Sequence, residues 1–409
     1  MISVTSWWID QSLEPNSKPH NELLFVSSAG DTLDLSDLVS KWPSVKRKAG
    51  EFTPSGVQVE FDVSKLDQRF QRLQVEASSA GNPVSKYYAF MGRWDIRTGY
   101  IHPTSGPEMV DVFAGRLAER TLSGGKTTLK LAPAAQNLTA ITCETTSGEP
   151  WLYGCAPPYK TLAECAWAVC SFCGLDPTAS TANTDIDYAS FSSWEYWVDS
   201  HTTPPLYASI WSTGQMGAGL LKELMKQGLC VAGVGGNGKL RFKETVGIGS
   251  PVAEIAADLI LDASYREGGT TFPNRIHGWA WFQVGSDQEW TTRQTRANSA
   301  SVLIYGAQET RWKSGAVSLA TPTPFRRMLE RRVNDTTDAV EKYKVRKVAD
   351  LVLPFWGMVL DVGDVVTIED TYHGVSSYHW TVLEVAPDQN KGRVKIKVEE
   401  RIPDPVIWN

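Results

Sequence analysis

Five of the six cysteines, Cys143, Cys155, Cys165, Cys170 and Cys173, fall in one short stretch, and Cys170 and Cys173 form a C-x-x-C. Thiolates at that density can hold zinc or an iron–sulfur cluster when four of them converge from loops or knuckles. A C-x-x-C can also act as a redox pair. Here, however, "KTLAECAWAVCSFCGL" opens on Thr161 with Glu164 three residues later, the spacing of a capping box, and ends on Gly174 at the C′ position of a helix. On an amphipathic helix among Trp167, Val169 and Phe172, Cys165, Cys170 and Cys173 are expected to serve as small buried hydrophobes. No catalytic, cofactor-binding or metal-binding residue is therefore assigned. Zinc or an iron–sulfur cluster on the Cys143–Cys173 stretch stays as the alternative.

The other chemically suggestive stretches have ordinary readings. "GVGGNGKL", Gly233 to Leu240, fits most of a phosphate-binding loop, but Leu240 stands where a hydroxyl residue would hold Mg²⁺. The following "KLRFKE" reads as a strand, whereas such a loop must lead into a helix whose amides face the phosphates. "LSGGKTTLKL" fails in the same way, with Arg120 in place of the first glycine. Both are predicted to be hairpin turns. His373 and His379 lie near Asp364, Glu369 and Asp370, all in one predicted hairpin loop with nothing further to complete a site. The basic run with Arg326, Arg327, Arg331 and Arg332 suits a solvated helix face or an interface more than nucleic acid. No G-x-S-x-G, H-E-x-x-H or kinase-type motif occurs. Carboxylate pairs for glycoside hydrolysis stay open, because their spacing is set in three dimensions.

What positions such residues is a chain of 409 residues, long enough for several domains, with a formal net charge of −6 that argues against coating nucleic acid. The 16 tryptophans, among them Trp7, Trp8, Trp42, Trp94, Trp312, Trp356 and Trp380, suit strands, protein interfaces or sugar stacking. The first residues read neither as a secretory leader nor as a membrane helix, and no apolar run reaches the ~20 residues a membrane span needs, so a soluble product made in the cytoplasm is expected.

The expected fold is mainly β with an α+β middle. Residues 1–140 read as strands, with Val57, Val59 and Phe61 alternating against polar neighbours. In 141–265 the period becomes helical, with the cysteine helix and "GQMGAGLLKELMKQG", then a hairpin; "STANTDIDYASFSSWEYWVDSHTTPP" between the helices reads only as a polar and aromatic linker. In 266–409 strands return as "NRIHGWAWFQV", "SVLIYGAQETRW" and the closing "LDVGDVVTIED" and "WTVLEVAPDQNKGRVKIKVEE", separated by a helix-like "FRRMLERRVNDTTDAVEKYKVRKVADLVL". "GKTTLKL" and "GRVKIKV" align, each preceded by an aromatic, Phe113 or Trp380, twelve residues before its glycine, which raises an internal duplication.

Three segments in order resemble the hub proteins of tailed-phage tail tips and baseplates, including those of gene transfer particles. They are "LVSKWPSVKRKAGEFTPSGVQVEFDV" with "DVFAGRLAERTLSGGKTTLKLAP", then "LLKELMKQGLCVAGVGGNGKLRF", then "VADLVLPFWGMVLDVGDVVTIED" with the closing hairpin. The resemblance implies two tube-like β-barrels joined by a helix-and-hairpin domain, and a non-enzymatic structural protein of the virion at the tail tip. It further implies a homotrimer that presents six similar barrels to the distal tail tube protein. The tape measure protein and central fibre or spike proteins would be neighbours, genomic DNA would pass through the lumen without specific binding, and Arg326, Arg327, Arg331 and Arg332 would meet a neighbouring subunit. Some tail-tip relatives carry a cysteine-bound iron–sulfur cluster, which bears on the cysteine alternative. The rival function is an aromatic-rich tail-associated protein that binds or hydrolyses glycans.

Overall fold

The structure is a computed structural model that describes residues 4–14, 17–27, 30–62, 92–145, 147, 149, 151–154, 160–200, 207–212, 214–228, 230–245, 250–267, 273–284, 287–290, 294–319, 329–330, 333, 347–388 and 391–401. A helix, α1 (Ser6–Leu13), is capped by the Thr5 hydroxyl and precedes eight strands. These are β1 (His20–Val26), β2 (Thr32–Asp34), β3 (Val39–Lys41), β4 (Arg47–Lys48), β5 (Gln58–Asp62), β6 (Arg93–His102), β7 (Gly106–Ser123) and β8 (Lys126–Ala132). Seven of them form a sheet in the order β2-β1-β6-β7-β8-β5-β3. The turn from β7 to β8 is the two-residue Gly124-Gly125, both at positive φ (56° and 77°), which matches the twist of the flanking strands.

The middle of the chain supplies β9 (Thr142–Cys143), β10 (Trp151–Tyr153), β11 (Lys160–Thr161), the helices α2 (Leu162–Phe172) and α3 (Tyr188–Ser200), β12 (Tyr207–Ser212), β13 (Gln215–Met216), α4 (Gly217–Gln227), β14 (Cys230–Val234) and β15 (Leu240–Glu244). The predicted capping box of α2 is present in full, with Thr161 and Glu164 exchanging bonds. The stretch read as a linker contains α3, although its Tyr, Ser, Phe and Trp residues are indifferent helix formers. Packing decides it: Phe191 and Trp194, three apart on one helix face, lie on Phe242 of β15 at ring separations of 5.1 and 5.5 Å.

Next come β16 (Ala253–Ala256), β17 (Asp262–Glu267), β18 (Arg275–Val284), β19 (Asp287–Trp290), β20 (Gln294–Ala297), α5 (Ser299–Tyr305), β21 (Glu309–Leu319), β22 (Lys347–Pro354), β23 (Val365–Asp370), β24 (Val375–Asp388) and β25 (Arg393–Glu400). Strand pairing crosses the expected boundary at 265. β16 and β17 complete the closing sheet, β16-β23-β24-β25-β22-β17, whereas β18 and β21 join β10 and β12 of the middle region. β4, from the first fifty residues, pairs with β24.

Two local readings are corrected. "SVLIY" is helix, not strand, because the Asn298 side chain accepts from Ser301 N (2.9 Å) and caps α5. "VADLVL" is strand, not helix: β22 pairs on both sides, with β17 and β25, and buries most of its length. The four arginines Arg326, Arg327, Arg331 and Arg332 lie outside the described residues.

The expected closed tubes are open, curved half-barrel sheets: among the described residues the end strands β2 and β3, and likewise β16 and β17, do not pair with each other. Within each sheet four consecutive strands share one topology. β5 to β8 are ordered β6-β7-β8-β5, and β22 to β25 are ordered β23-β24-β25-β22, all antiparallel. Phe113 of β7 and Trp380 of β24, each twelve residues before its glycine, are both fully or nearly fully buried, and Gly125 and Gly392 both turn at positive φ. The aligned hairpins are thus parts of a larger repeated module.

One continuous apolar core serves both modules, while the middle region has its own around the cysteine helix. Trp8 of α1 is buried between them, stacked on Phe355 (6.4 Å) and edge-on to Tyr100 (5.3 Å). The tryptophans singled out for surfaces are mainly structural: Trp8, Trp94, Trp356 and Trp380 are buried. Trp8→Ala is expected to cost about 3–5 kcal/mol in urea unfolding at neutral pH. A loss below about 1 kcal/mol would show that α1 does not tie the modules together.

Candidate functional site: a buried charge junction

The glycine-rich stretch and the "LDVGDVV" stretch meet in the interior. Asp361, Val362, Gly363 and Asp364 make the turn before β23, closed by Asp364 N donating to Asp361 O (3.0 Å) and by Asp361 N donating to the Asp364 carboxylate (2.9 Å). Gly363 turns at φ +86°, with Lys243 packed where a β-carbon would project. Into this turn reach two arginines from distant parts of the chain. Arg47 of β4 pairs with Asp361 and also donates to the carbonyls of Met358 (3.4 Å) and Leu360 (3.3 Å). Arg241 of β15 bridges Asp361 (3.1 Å), Asp364 (3.3 Å) and Asp187, just ahead of α3 (3.3 Å).

Arg47, Asp361 and Asp364 are buried, so the cluster works in a low-dielectric setting where unpaired charge is costly. Burial opposes ionisation of Asp361, but the charges of Arg47 and Arg241 and the Gly236 N–H at 3.0 Å outweigh it and hold the carboxyl below its usual range. Burial likewise disfavours the Arg241 cation, and Asp361, Asp364 and Asp187 more than restore it. Nearby, Arg401 donates to Glu244 O (2.9 Å) and Thr381 (3.3 Å), a second link between β15 and the closing sheet.

The loop resembling a phosphate-binding loop is a hairpin turn, and its glycines serve backbone approach. It spans Gly235 to Lys239 between the last β14–β15 pair, Val234 and Leu240, with Gly238 at φ +76°. A β-carbon on Gly236 would lie 2.3 Å from Asp111 O, and one on Gly238 would lie 2.0 Å from Ala114 O, both on β7. The turn is therefore wedged between the first sheet and the Asp361 turn. At its base, Gly50 N donates to Ala232 O (2.7 Å) and Ala49 N to Leu383 O (2.8 Å), so the segment after Arg47 stitches β14 to β24.

The other sequence candidates do not converge. Asp364 serves Arg241, Glu369 is exposed, and His379 sits opposite Thr367, where burial and then the Arg401 charge keep its imidazole below the ordinary range. Asp370 alone joins His373 (2.8 Å) and also accepts from the Tyr265 hydroxyl (2.9 Å). In the cysteine stretch Cys155 lies outside the described residues, and Cys165 donates to Ala208 O (3.3 Å). Among the described residues no three His, Cys, Asp or Glu side chains group to hold a metal ion. Also among them, no helix is long and apolar enough to cross a membrane.

Arg47 and Arg241 had no distinguishing signal in the sequence, since Arg47 sits in the basic run Lys46-Arg47-Lys48 and Arg241 alternates with Lys239 and Lys243, patterns that read as solvated strand faces. The aspartates had a weak one, a Gly-Asp step before a strand. No protein-family model matches the chain, and no curated protein is similar to it. Among solved structures, a tail protein from Neisseria meningitidis MC58 is 8% identical over 94% of this chain and 99% of its own, with a TM-score of 0.50. The 43 kDa tail protein of prophage MuSo2 from Shewanella oneidensis is 13% identical over 93% and 98%, with a TM-score of 0.49. Prophage tail protein gp18 from Listeria monocytogenes EGD-e is 12% identical over 93% and 95%, with a TM-score of 0.45. At 8% identity the likeness to the Neisseria protein is one of fold.

Two substitutions test the junction. Asp361→Asn leaves the buried Arg47 without its carboxylate and removes one of the three carboxylates around Arg241, and is expected to cost about 3–5 kcal/mol at pH 7 by urea unfolding. Because the folded carboxyl lies below its unfolded value, its contribution is present above roughly pH 4 and is lost as pH falls through the lower folded value. The variant should therefore lose part of the wild-type slope of stability against pH in that acidic window; an unchanged slope would contradict the pairing. Gly238→Ala is expected to destabilise by at least about 1–3 kcal/mol through its positive φ and its clash with β7. A neutral effect would mean that the turn is not wedged.

Proposed function

We propose that this chain is a non-enzymatic structural protein of a phage tail, and within the tail the hub at its distal end. The observation that carries the reading is the repeated four-strand module, present twice in one chain and sharing one core. Three chains around the tail axis would offer six near-equivalent faces to a sixfold tube above and threefold symmetry to a fibre or spike below. Such a ring closes when one heterologous contact repeats at the right angle. The fold shared over nearly the whole chain with the Neisseria tail protein supports the tail assignment.

On this reading the chain is a homotrimer in the virion at the tail tip. It contacts the distal tail tube protein, the tape measure protein and central fibre or spike proteins, and genomic DNA passes through its lumen without specific binding. The glycan reading needs exposed tryptophan faces for stacking, and among the tryptophans whose side chains the structure describes none is exposed.

Light scattering is expected to give three times the 45.1 kDa chain mass, and negative-stain images of the same sample a ring with a central hole. Gold label on the chain should decorate the distal end of intact tails. A chain that stays monomeric with its tube partner and is absent from the tip would sink the reading. Charge reversal at Arg326, Arg327, Arg331 and Arg332 is expected to leave the monomer folded and stop ring formation; normal rings would remove these arginines from the interface.

A further inference from the structure

The cysteine stretch singled out Cys170 and Cys173 by spacing, but the sulfur contact in the fold is a different one. Cys143 of β9 and Cys173, the C-cap of α2, face each other with their Sγ atoms 3.9 Å apart, and both residues are completely buried. The two come from separate elements. β9 pairs with β13 just before α4, and Ser212 donates its hydroxyl to Cys143 O (2.6 Å).

The surrounding backbone leaves room for sulfur at this point. A β-carbon on Gly217, the first residue of α4, would lie 2.3 Å from Cys173 Sγ and 3.4 Å from Leu138. Gly217 N donates to Ile141 O (3.1 Å), which fixes α4 against the segment carrying Cys143. The other described cysteines are placed differently. Cys165 faces Ala208 O, Cys230 lies on β14 with its thiol on Val231 O (3.1 Å), and burial pushes the Cys170 thiol up to about 12. The contact between the two sulfurs holds the Cys143 thiol below its ordinary range and the Cys173 thiol above it, so Cys143 is taken as the first to lose its proton.

We propose that Cys143 and Cys173 are a disulfide-forming pair that staples the segment leaving the first sheet to the cysteine helix. A side-chain rotation that brings the sulfurs from 3.9 Å to bonding distance, about 2.05 Å, closes the bond. The oxidant is a low-molecular-weight disulfide such as glutathione disulfide. Cys143 loses its proton, and its thiolate attacks one sulfur of the oxidant, breaking that S–S bond and releasing one thiol equivalent. Cys173 then loses its proton and attacks the Cys143 sulfur of the mixed disulfide, expelling the second thiol. Two protein thiols and one small disulfide become one protein disulfide and two small thiols. Since both sulfurs are buried, exchange waits on local opening of the short β9–β13 pair and is slow.

The test uses the full chain, incubated for hours to days with glutathione disulfide, then denatured and alkylated, with matched samples kept in reductant. The expected result is a mass lower by two hydrogens before alkylation and two fewer alkyl groups after it, a non-reduced peptide joining Cys143 to Cys173, and a thermal midpoint raised by a few degrees over the reduced sample. Cys143→Ser and Cys173→Ser should each abolish that cross-linked peptide and the midpoint shift, while Cys165→Ser, on the same helix, should retain both. Cys143→Ala provides the same readout without a buried hydroxyl. Full alkylation of both cysteines after prolonged oxidation, or a dominant Cys170–Cys173 bridge, would overturn the proposal. So would a cross-link that forms with no change in midpoint, because the bond would then staple nothing.

Discussion

A cluster of two arginines and two aspartates, all buried but the slightly exposed Arg241, constrains the whole arrangement. A charge taken from water and left unpaired costs several kcal/mol, so Arg47, Arg241, Asp361 and Asp364 are tolerated only where all four meet. Arg47 arrives on a two-residue strand from the start of the chain, Arg241 on the hairpin of the middle region, and the aspartates on a turn of the closing sheet. A buried cluster of this sort adds little over apolar packing in total stability. Its effect is selective: any docking of the three regions that fails to complete the pairs is penalised.

The glycines belong to the same constraint. Gly236 and Gly238 let the hairpin tip lie against the carbonyls of Asp111 and Ala114, and Gly236 donates its amide to Asp361. The tip thus touches the first sheet and the charge cluster at once. The lack of a side chain that lets backbone approach a phosphate in nucleotide-binding loops here lets backbone approach backbone.

The two modules are alike in strand order and unlike in surroundings. β6 is flanked by the antiparallel β1, whereas β23 is flanked by the parallel β16. Their common core, bridged by Trp8, Tyr100 and Phe355, makes them one body rather than beads on a string.

The sequence by itself determined the local elements whose signals are short-range. The alternation of Val57, Val59 and Phe61, the Thr161–Glu164 capping box, the glycine turns and the aligned hairpins all appear where the residues place them, because period, caps and positive φ are decided within a few residues. Tertiary structure alone decided the rest. Helix α3 depends on Phe242 far along the chain, the sheets draw strands across the expected boundary at 265, and Cys173 meets Cys143 rather than the neighbour its spacing offered. The charge junction was illegible for the same reason. Arginines at 47 and 241, each among lysines, and two aspartates near 361 read as ordinary surface residues in a sequence, and only folding brings them together away from water, where pairing becomes obligatory.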